Sequence, residues 1–413
     1  MIMAKIWIAF FLLAQAVMYA QPVAEKSPPY YIKSVHFEKS GQSQIPIFKK
    51  NTNITFRFDD LMASNTDYYY TISYHNYDWS PSDLVKTEYL SGMDDVRIKN
   101  MQNSFGTLQA YTHYAVSLPN ADTKLSLSGN YMIHILDQDR NEIFSRKFIV
   151  YEEQINIGVE IARPRNPKTS ISKQNVYFSF DYGDVNYNNP RQNFKIAIFQ
   201  NGRFDNVINN IKPQYVMGTQ FRYRYEEETQ FWAGNEYWYY ENSRLTQVNN
   251  MVRNVTSDTG LYNSFLYTFE PRNYYTFFED LDGAFIPNNR DRTNHQIESD
   301  YAWVYFSLKI EEKTDEPIYI VGQFNNHEIS DDYLLEYNSS TGLYEIALLL
   351  KQGFVNYRFV TAKGQKINDE NSIDGNFYET ENLYQVLLYY RGNNDRHDAA
   401  IGYGDAESIN ITQ

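Results

Sequence analysis

Short runs in which apolar and polar residues alternate, broken by Asn, Asp, Gly or Pro, recur along most of this chain, and a helical period is hard to find beyond its first twenty positions. Tyr131, Ile133 and Ile135 alternate with other residues, Asp137 to Asn141 form a polar turn, and Ile143 to Val150 return, which predicts a hairpin. Similar pairs occur at Asn53 to Phe58 with Tyr68 to Tyr74, and at Asn175 to Asp181 with Phe194 to Gln200. Short strands spaced by turns in this way predict an all-β protein of tandem β-sandwich domains.

The first twenty residues follow a different pattern. Lys5 precedes an apolar run from Ile6 to Ala14, and the segment ends in small residues at Ala20 before Gln21, as a cleavable secretory signal does. The run is far shorter than the roughly 20 residues that a spanning helix needs, so an exported protein without membrane insertion is expected. The remaining length suggests two or three domains at about 150 residues each. The expected divisions are a signal peptide over 1–20, an immunoglobulin-like sandwich over 21–152, a middle sandwich over 153–297 and a C-terminal domain over 298–413. The polar stretch Arg163 to Pro167, with two prolines, either signals the first break or is a loop inside the middle domain, and the Asn- and Arg-rich loop Pro287 to His295 marks the second.

Charge and composition narrow the function. The formal charge is −14, one unit more negative once the signal's only charged residue, Lys5, is removed, which argues against nucleic acid or an anionic membrane as partner. The chain has no cysteine, so disulfides, thiolate metal sites and lipidation at a signal-peptide cysteine are excluded. Its seven histidines are scattered without a close pair, and no Gly-rich phosphate loop is present. Asp137, Asp139 and Asn141 have a spacing that suits Ca²⁺ but sit in a hairpin turn, and Glu279, Asp280 and Asp282 before Gly283 read equally as a turn. Neither catalysis nor a cofactor is expected, and a glycoside hydrolase ranks third among the readings.

Tyrosine is the compositional outlier, with 38 residues against 5 Trp and 26 Phe, as strand packing favours. The densest stretch is Phe231 to Tyr240, with six aromatics in ten residues, more than one alternating strand face would bury. Either both faces of a strand are covered there, or Phe231, Trp232, Asn235, Glu236, Tyr237 and Trp238 meet another protein. Gly234 and Asn235 suit a turn or bulge, and Glu236 has Arg244 as a candidate ion-pair partner.

Two resemblances add to this reading. Ile318 to Asn326 (I-Y-I-V-G-Q-F-N-N), Gly342 to Leu350 and Gly353 to Val360 (G-F-V-N-Y-R-F-V) resemble the glycogen- and starch-binding modules of the early-set immunoglobulin-like class. The tryptophan platforms of those modules are replaced by His327 and by Gln365 and Lys366, so a carbohydrate-binding protein is the alternative function rather than the leading one.

The second resemblance rests on Asn189 to Asn206 (N-P-R-Q-N-F-K-I-A-I-F-Q-N-G-R-F-D-N), Ala233 to Glu236 (A-G-N-E), Asp280 to Ile286 (D-L-D-G-A-F-I), Glu298 to Phe306 and Ile373 to Arg391. In that order these segments resemble the plug protein family of the type IX secretion system of Bacteroidota, across essentially the whole mature chain. The resemblance implies a non-enzymatic periplasmic protein on the inner face of the outer membrane. Its implied partner is the large outer-membrane translocon barrel, whose periplasmic opening it closes when no substrate is exported. Where many members have G-G-N-E-F-R, this chain has A-G-N-E-Y-W, which removes an arginine near Trp238.

Overall fold

A computed structural model describes residues 22–413 except 40–41, 250, 258–259, 279, 312, 410 and 412–413, so the expected signal peptide and Glu279 lie outside the described residues. The chain is all-β, in three packed units.

The first unit is a sandwich of two five-stranded sheets. One runs Gln42–Gln44, Ile32–Lys39, Ile54–Asp60, Thr112–Leu118, Asn100–Asn103, and the other Ile47–Lys49, Glu142–Tyr151, Gly129–Leu136, Tyr69–His75, Val96–Arg97. Alternation decides what each face does. Phe56 and Phe58 point inward with Tyr114, Tyr131, Phe144 and Phe148, and Phe58 stacks on Tyr114 at 5.0 Å between ring centres. The intervening Arg57 and Asp59 take the opposite parity and face outward, with His113 directly across from Asp59 in the ladder. The hairpin at Asp137 to Asn141 forms as expected between Gly129–Leu136 and Glu142–Tyr151.

The middle unit departs from the expected division. Its nine-stranded sheet contains Phe194–Gln200, Ile155–Ala162 and Lys173–Asp181, but the strands joining them are Leu383–Tyr390 and Ala399–Glu407, from the far end of the chain. The reason lies in Leu383–Tyr390, which buries consecutive residues from Tyr384 to Tyr389 and so needs cover on both faces. Tyr384, Val386 and Leu388 join the unit's own core. Leu387 and Tyr389 face the first unit, where they pack with Trp79, Ile149 and Tyr151.

The third unit is therefore an insertion. The chain leaves the middle sheet after Gln230–Trp232, pairs Trp238–Glu241 and Phe285–Pro287 with Gly353–Lys363, and returns to the middle sheet at Leu383. Its second sheet joins Tyr262–Leu266, in parallel, to Tyr301–Leu308 and then to Leu343–Lys351. The boundary expected near 297 instead falls inside this unit. The strand order expected from the glycogen-module resemblance does form: Ile318–Val321, a short 3-10 turn at Gln323–Asn325, Leu343–Lys351 and Gly353–Lys363.

The outward face of the first unit docks on the third through a buried carboxylate. Asp59 has no exposed surface. It accepts from His113 Nδ1 at 2.6 Å, from the Tyr301 hydroxyl at 2.6 Å and from Lys351 Nζ at 2.6 Å. Arg57 donates to His113 Nε2 at 3.2 Å, which leaves the ring's proton on Nδ1, pointing at Asp59. Tyr301 and Lys351 are direct cross-strand neighbours, so one rung of the third unit's sheet supplies both donors. Burial pushes the Asp59 carboxyl up, but the Lys351 ammonium and His113 outweigh it and hold the pKa down at about 2. Asp300 completes the seam by accepting from the amides of Leu108 at 2.6 Å and Gln109 at 3.0 Å.

Lys351→Met strands the Asp59 charge inside the seam, and urea unfolding is expected to show a loss on the order of 3–5 kcal/mol. Lys309→Met removes only an exposed pair with Glu270, for which a change below about 1 kcal/mol is expected.

Candidate functional site

The Phe231 to Tyr240 segment is the outgoing half of the neck between the middle and third units. Phe231 and Trp232 belong to the strand on Lys173–Asp181, whereas Trp238 opens the strand on Gly353–Lys363. Gly234 turns the chain between them with φ of +68°. Its amide donates to Asn376 Oδ1 at 2.8 Å, and its carbonyl accepts from Phe377 N and Thr380 Oγ1, both at 2.9 Å. The returning pass, roughly 368–382, is thus bonded to the outgoing one.

The structure does not bring the six candidate residues together as an exposed patch. Phe231 packs on Tyr384 in the middle core, and Asn235, Glu236 and Tyr237 are buried. Trp232 and Trp238 are half-buried, each under a cation: Lys173 Nζ lies 4.1 Å from the Trp232 ring centre, and the Arg272 guanidinium 4.2 Å from that of Trp238. Both faces of the segment are covered because it threads between two units. Arg272 also supplies the charge whose loss was inferred near Trp238, pairing with Asp374 through Nε at 2.7 Å. Arg244 does not reach Glu236; it pairs with Asp291 on the surface, since the Glu236 carboxylate turns into the neck.

Glu236 accepts from the Tyr275 hydroxyl at 2.8 Å and the Glu381 amide at 3.1 Å, and its Oε2 has no protein partner. Burial pushes its carboxyl up to about 7. Asp280, which accepts from Tyr237 N at 2.5 Å, is raised to about 6 by burial and the charge of Glu381, and Asp282 is raised to about 8 by burial and the charges of Asp280, Glu381, Glu407 and Glu236.

A second charged lock sits beside this neck. Arg203 makes two forks, one to Asp205 at 2.9 and 2.5 Å and one to Asp369 with both bonds at 3.0 Å, while Arg358 adds a bond to Asp369 at 3.2 Å. Asn201 Nδ2 donates to Asn382 Oδ1 at 2.9 Å, and its Oδ1 accepts from the Leu383 amide at 2.8 Å. The segments carrying the plug-family resemblance therefore converge: N-G-R-F-D, A-G-N-E, D-L-D-G and I-D-G-N-F-Y-E-T-E-N build the neck, and Asp300 with Tyr301 of E-S-D-Y builds the seam with the first unit.

Sequence reasoning missed Asp59, His113, Tyr301, Lys351, Arg203 and Asp369. The available signal was the outward parity of Arg57 and Asp59 in T-F-R-F-D-D, which left a charged sheet face in need of a partner. At the hairpin, Asp137 Oδ1 is taken by the amides of Asp139 and Asn141, both at 2.8 Å. No group of His, Asp or Glu among the described residues is arranged to hold a metal ion. No helix among them is long and apolar enough to cross a membrane.

Residues 32–152 match the family described as type 9 secretion system plug protein 1st domain, which bears out the resemblance read from the sequence. The chain is also similar to a hypothetical protein from Parabacteroides merdae ATCC 43184, solved by crystallography at 2.30 Å, with a TM-score of 0.88, 29% identity, and coverage of 94% of this chain and 100% of that one. No curated protein matches.

The raised carboxyls give the neck a pH dependence of definite sign. The folded state of Glu236 holds its proton to about 7 against an ordinary 4.5, so the stabilisation is fully present below about 4.5 and is lost as pH rises through 7. Thermal unfolding is expected to show Tm falling by several degrees from pH 5 to pH 8, with a shallower fall for Glu236→Gln. An equal slope in the variant contradicts the assignment.

Proposed function

We propose, from the premise that the first unit is a type 9 secretion system plug domain, that the whole chain is a non-enzymatic plug resident in the periplasm. It caps the periplasmic opening of the large type IX translocon barrel while no substrate passes. The family of residues 32–152 is the observation that carries this reading. The architecture supports it physically. A cap over a wide aqueous opening has to resist deformation, and broad sheets locked to one another through buried charges supply stiffness without moving chemistry. The acidic character of the chain suits a reversible, polar contact with a rim.

The reading places the contact on solvent-facing surfaces rather than on the neck, whose aromatics are spent on packing. Affinity capture of a C-terminally tagged chain from detergent-solubilised outer membranes is expected to recover a very large barrel protein, enriched when substrate loading is blocked. Recovery of the chain alone, with the barrel demonstrably present in the extract, contradicts capping.

A further inference from the structure

Residues 22–29 form no strand, yet they run as an extended strap across the first and third units. The strand Glu142–Tyr151 is paired along one edge with Gly129–Leu136, while its other edge pairs with Ile47–Lys49 only over Ile149 to Tyr151. The strap covers the rest of that edge. Ser145 N donates to the Lys26 carbonyl at 3.1 Å, Lys26 N to Ser145 Oγ at 2.9 Å, and Lys147 N to Glu25 Oε1 at 2.6 Å. Toward the third unit, Asn326 Nδ2 donates to Glu25 Oε2 at 2.7 Å and Ser27 Oγ to Glu328 Oε1 at 2.7 Å. Glu25 thus bridges two units with its two oxygens.

The strap is weakly held for its length. None of residues 22–29 is buried, and a handful of partly solvated hydrogen bonds does little more than offset the entropy of ordering eight residues. Beneath it lies a cavity of about 490 Å³, where all three units meet; Ala24, Glu25 and Ser27 form one wall. Facing them is Arg146, only 7% exposed, whose Nε has no protein partner although Nη1 donates to the Ser145 carbonyl at 2.8 Å. Nδ1 of His327 also faces no protein partner, and Asn326 and His327 hold φ values of +55° and +54° to present this wall. A sheet edge whose Ser145 and Lys147 amides are held by the strap alone, a carboxylate seat made by Lys147 N and Asn326, and a buried guanidinium with its Nε unpaired behind it define one kind of ligand.

We propose that this groove is a docking site for an extended, carboxylate-bearing strand of another polypeptide, and that residues 22–29 are its resident, displaceable occupant. The incoming strand takes over the bonds to Ser145 and Lys147 and places an acidic side chain where Glu25 sits, across the cavity from Arg146. The inference does not depend on the plug reading.

The probe is a fluorescein-labelled peptide with the sequence of residues 22–29, titrated by anisotropy into the full chain carrying Glu25→Gln and Ser27→Ala, with unfolding curves establishing that the variant is folded. Saturable binding is expected, at least tenfold weaker to the wild-type chain because its own strap competes. An unlabelled peptide with Gln for Glu25 is expected to compete at least tenfold less well. Absence of saturable binding to the folded variant, or equal competition by the Gln peptide, overturns the proposal. Hydrogen exchange on the wild-type chain serves as the second measurement: Ser145 and Lys147 amides are expected to exchange well before the amides bonded to Gly129–Leu136. Exchange of both only on global unfolding overturns displaceability.

Discussion

The Asp59 carboxylate has no contact with solvent and lies between two units, so it is tolerable only where three donors surround it. His113 comes from its own sheet, and Tyr301 and Lys351 from one rung of the third unit. A tilt of a few degrees, or a slip of one residue in either sheet, would remove a donor and leave a charge in a dry seam. Interactions of this kind add little net stability over a well-packed apolar contact, but they strongly penalise every alternative orientation. The arrangement of the units follows from that penalty.

Two other contacts close the arrangement into a ring. The first and middle units share an apolar cluster of Trp79, Ile149, Tyr151, Leu387 and Tyr389, to which the Tyr389 hydroxyl adds a bond to Asn130 Oδ1 at 2.7 Å. The middle and third units are joined by two chain passes and by the fork from Arg203 to Asp369. A hinge at any one junction requires slippage at another, because each unit touches both of the others. A single domain inserted through a two-pass neck would ordinarily be free to swing; here the first unit holds it from the side.

Much of this was legible in the sequence, and the remainder was hidden for identifiable reasons. Alternation such as Tyr131, Ile133, Ile135 announces strands because a half-buried sheet imposes a period of two, and the turn at Asp137 to Asn141 follows from its side-chain chemistry. Nesting was not legible. Leu383–Tyr390 is apolar at every position but Gln385, which indicates cover on both faces but does not say which distant strands provide it. The aromatic density at Phe231 to Tyr240 was read as surface or double cover, and the structure takes the second option because the segment passes between units. Lone charged residues such as Lys351 and Arg203 carry no mark in the sequence of partners 292 and 166 positions away; only the parity of Asp59 hinted at it.

The Asp59 seam fixes the first and third units as one body. Because the chain has no native cysteine, spin labels at Lys124→Cys and Ser340→Cys, both exposed positions, report the inter-unit distance by double electron–electron resonance without background. A single narrow distribution is predicted for the otherwise native chain, broadening when Asp59→Asn is added. A broad distribution in the native background, or one left equally narrow by Asp59→Asn, would contradict the claim.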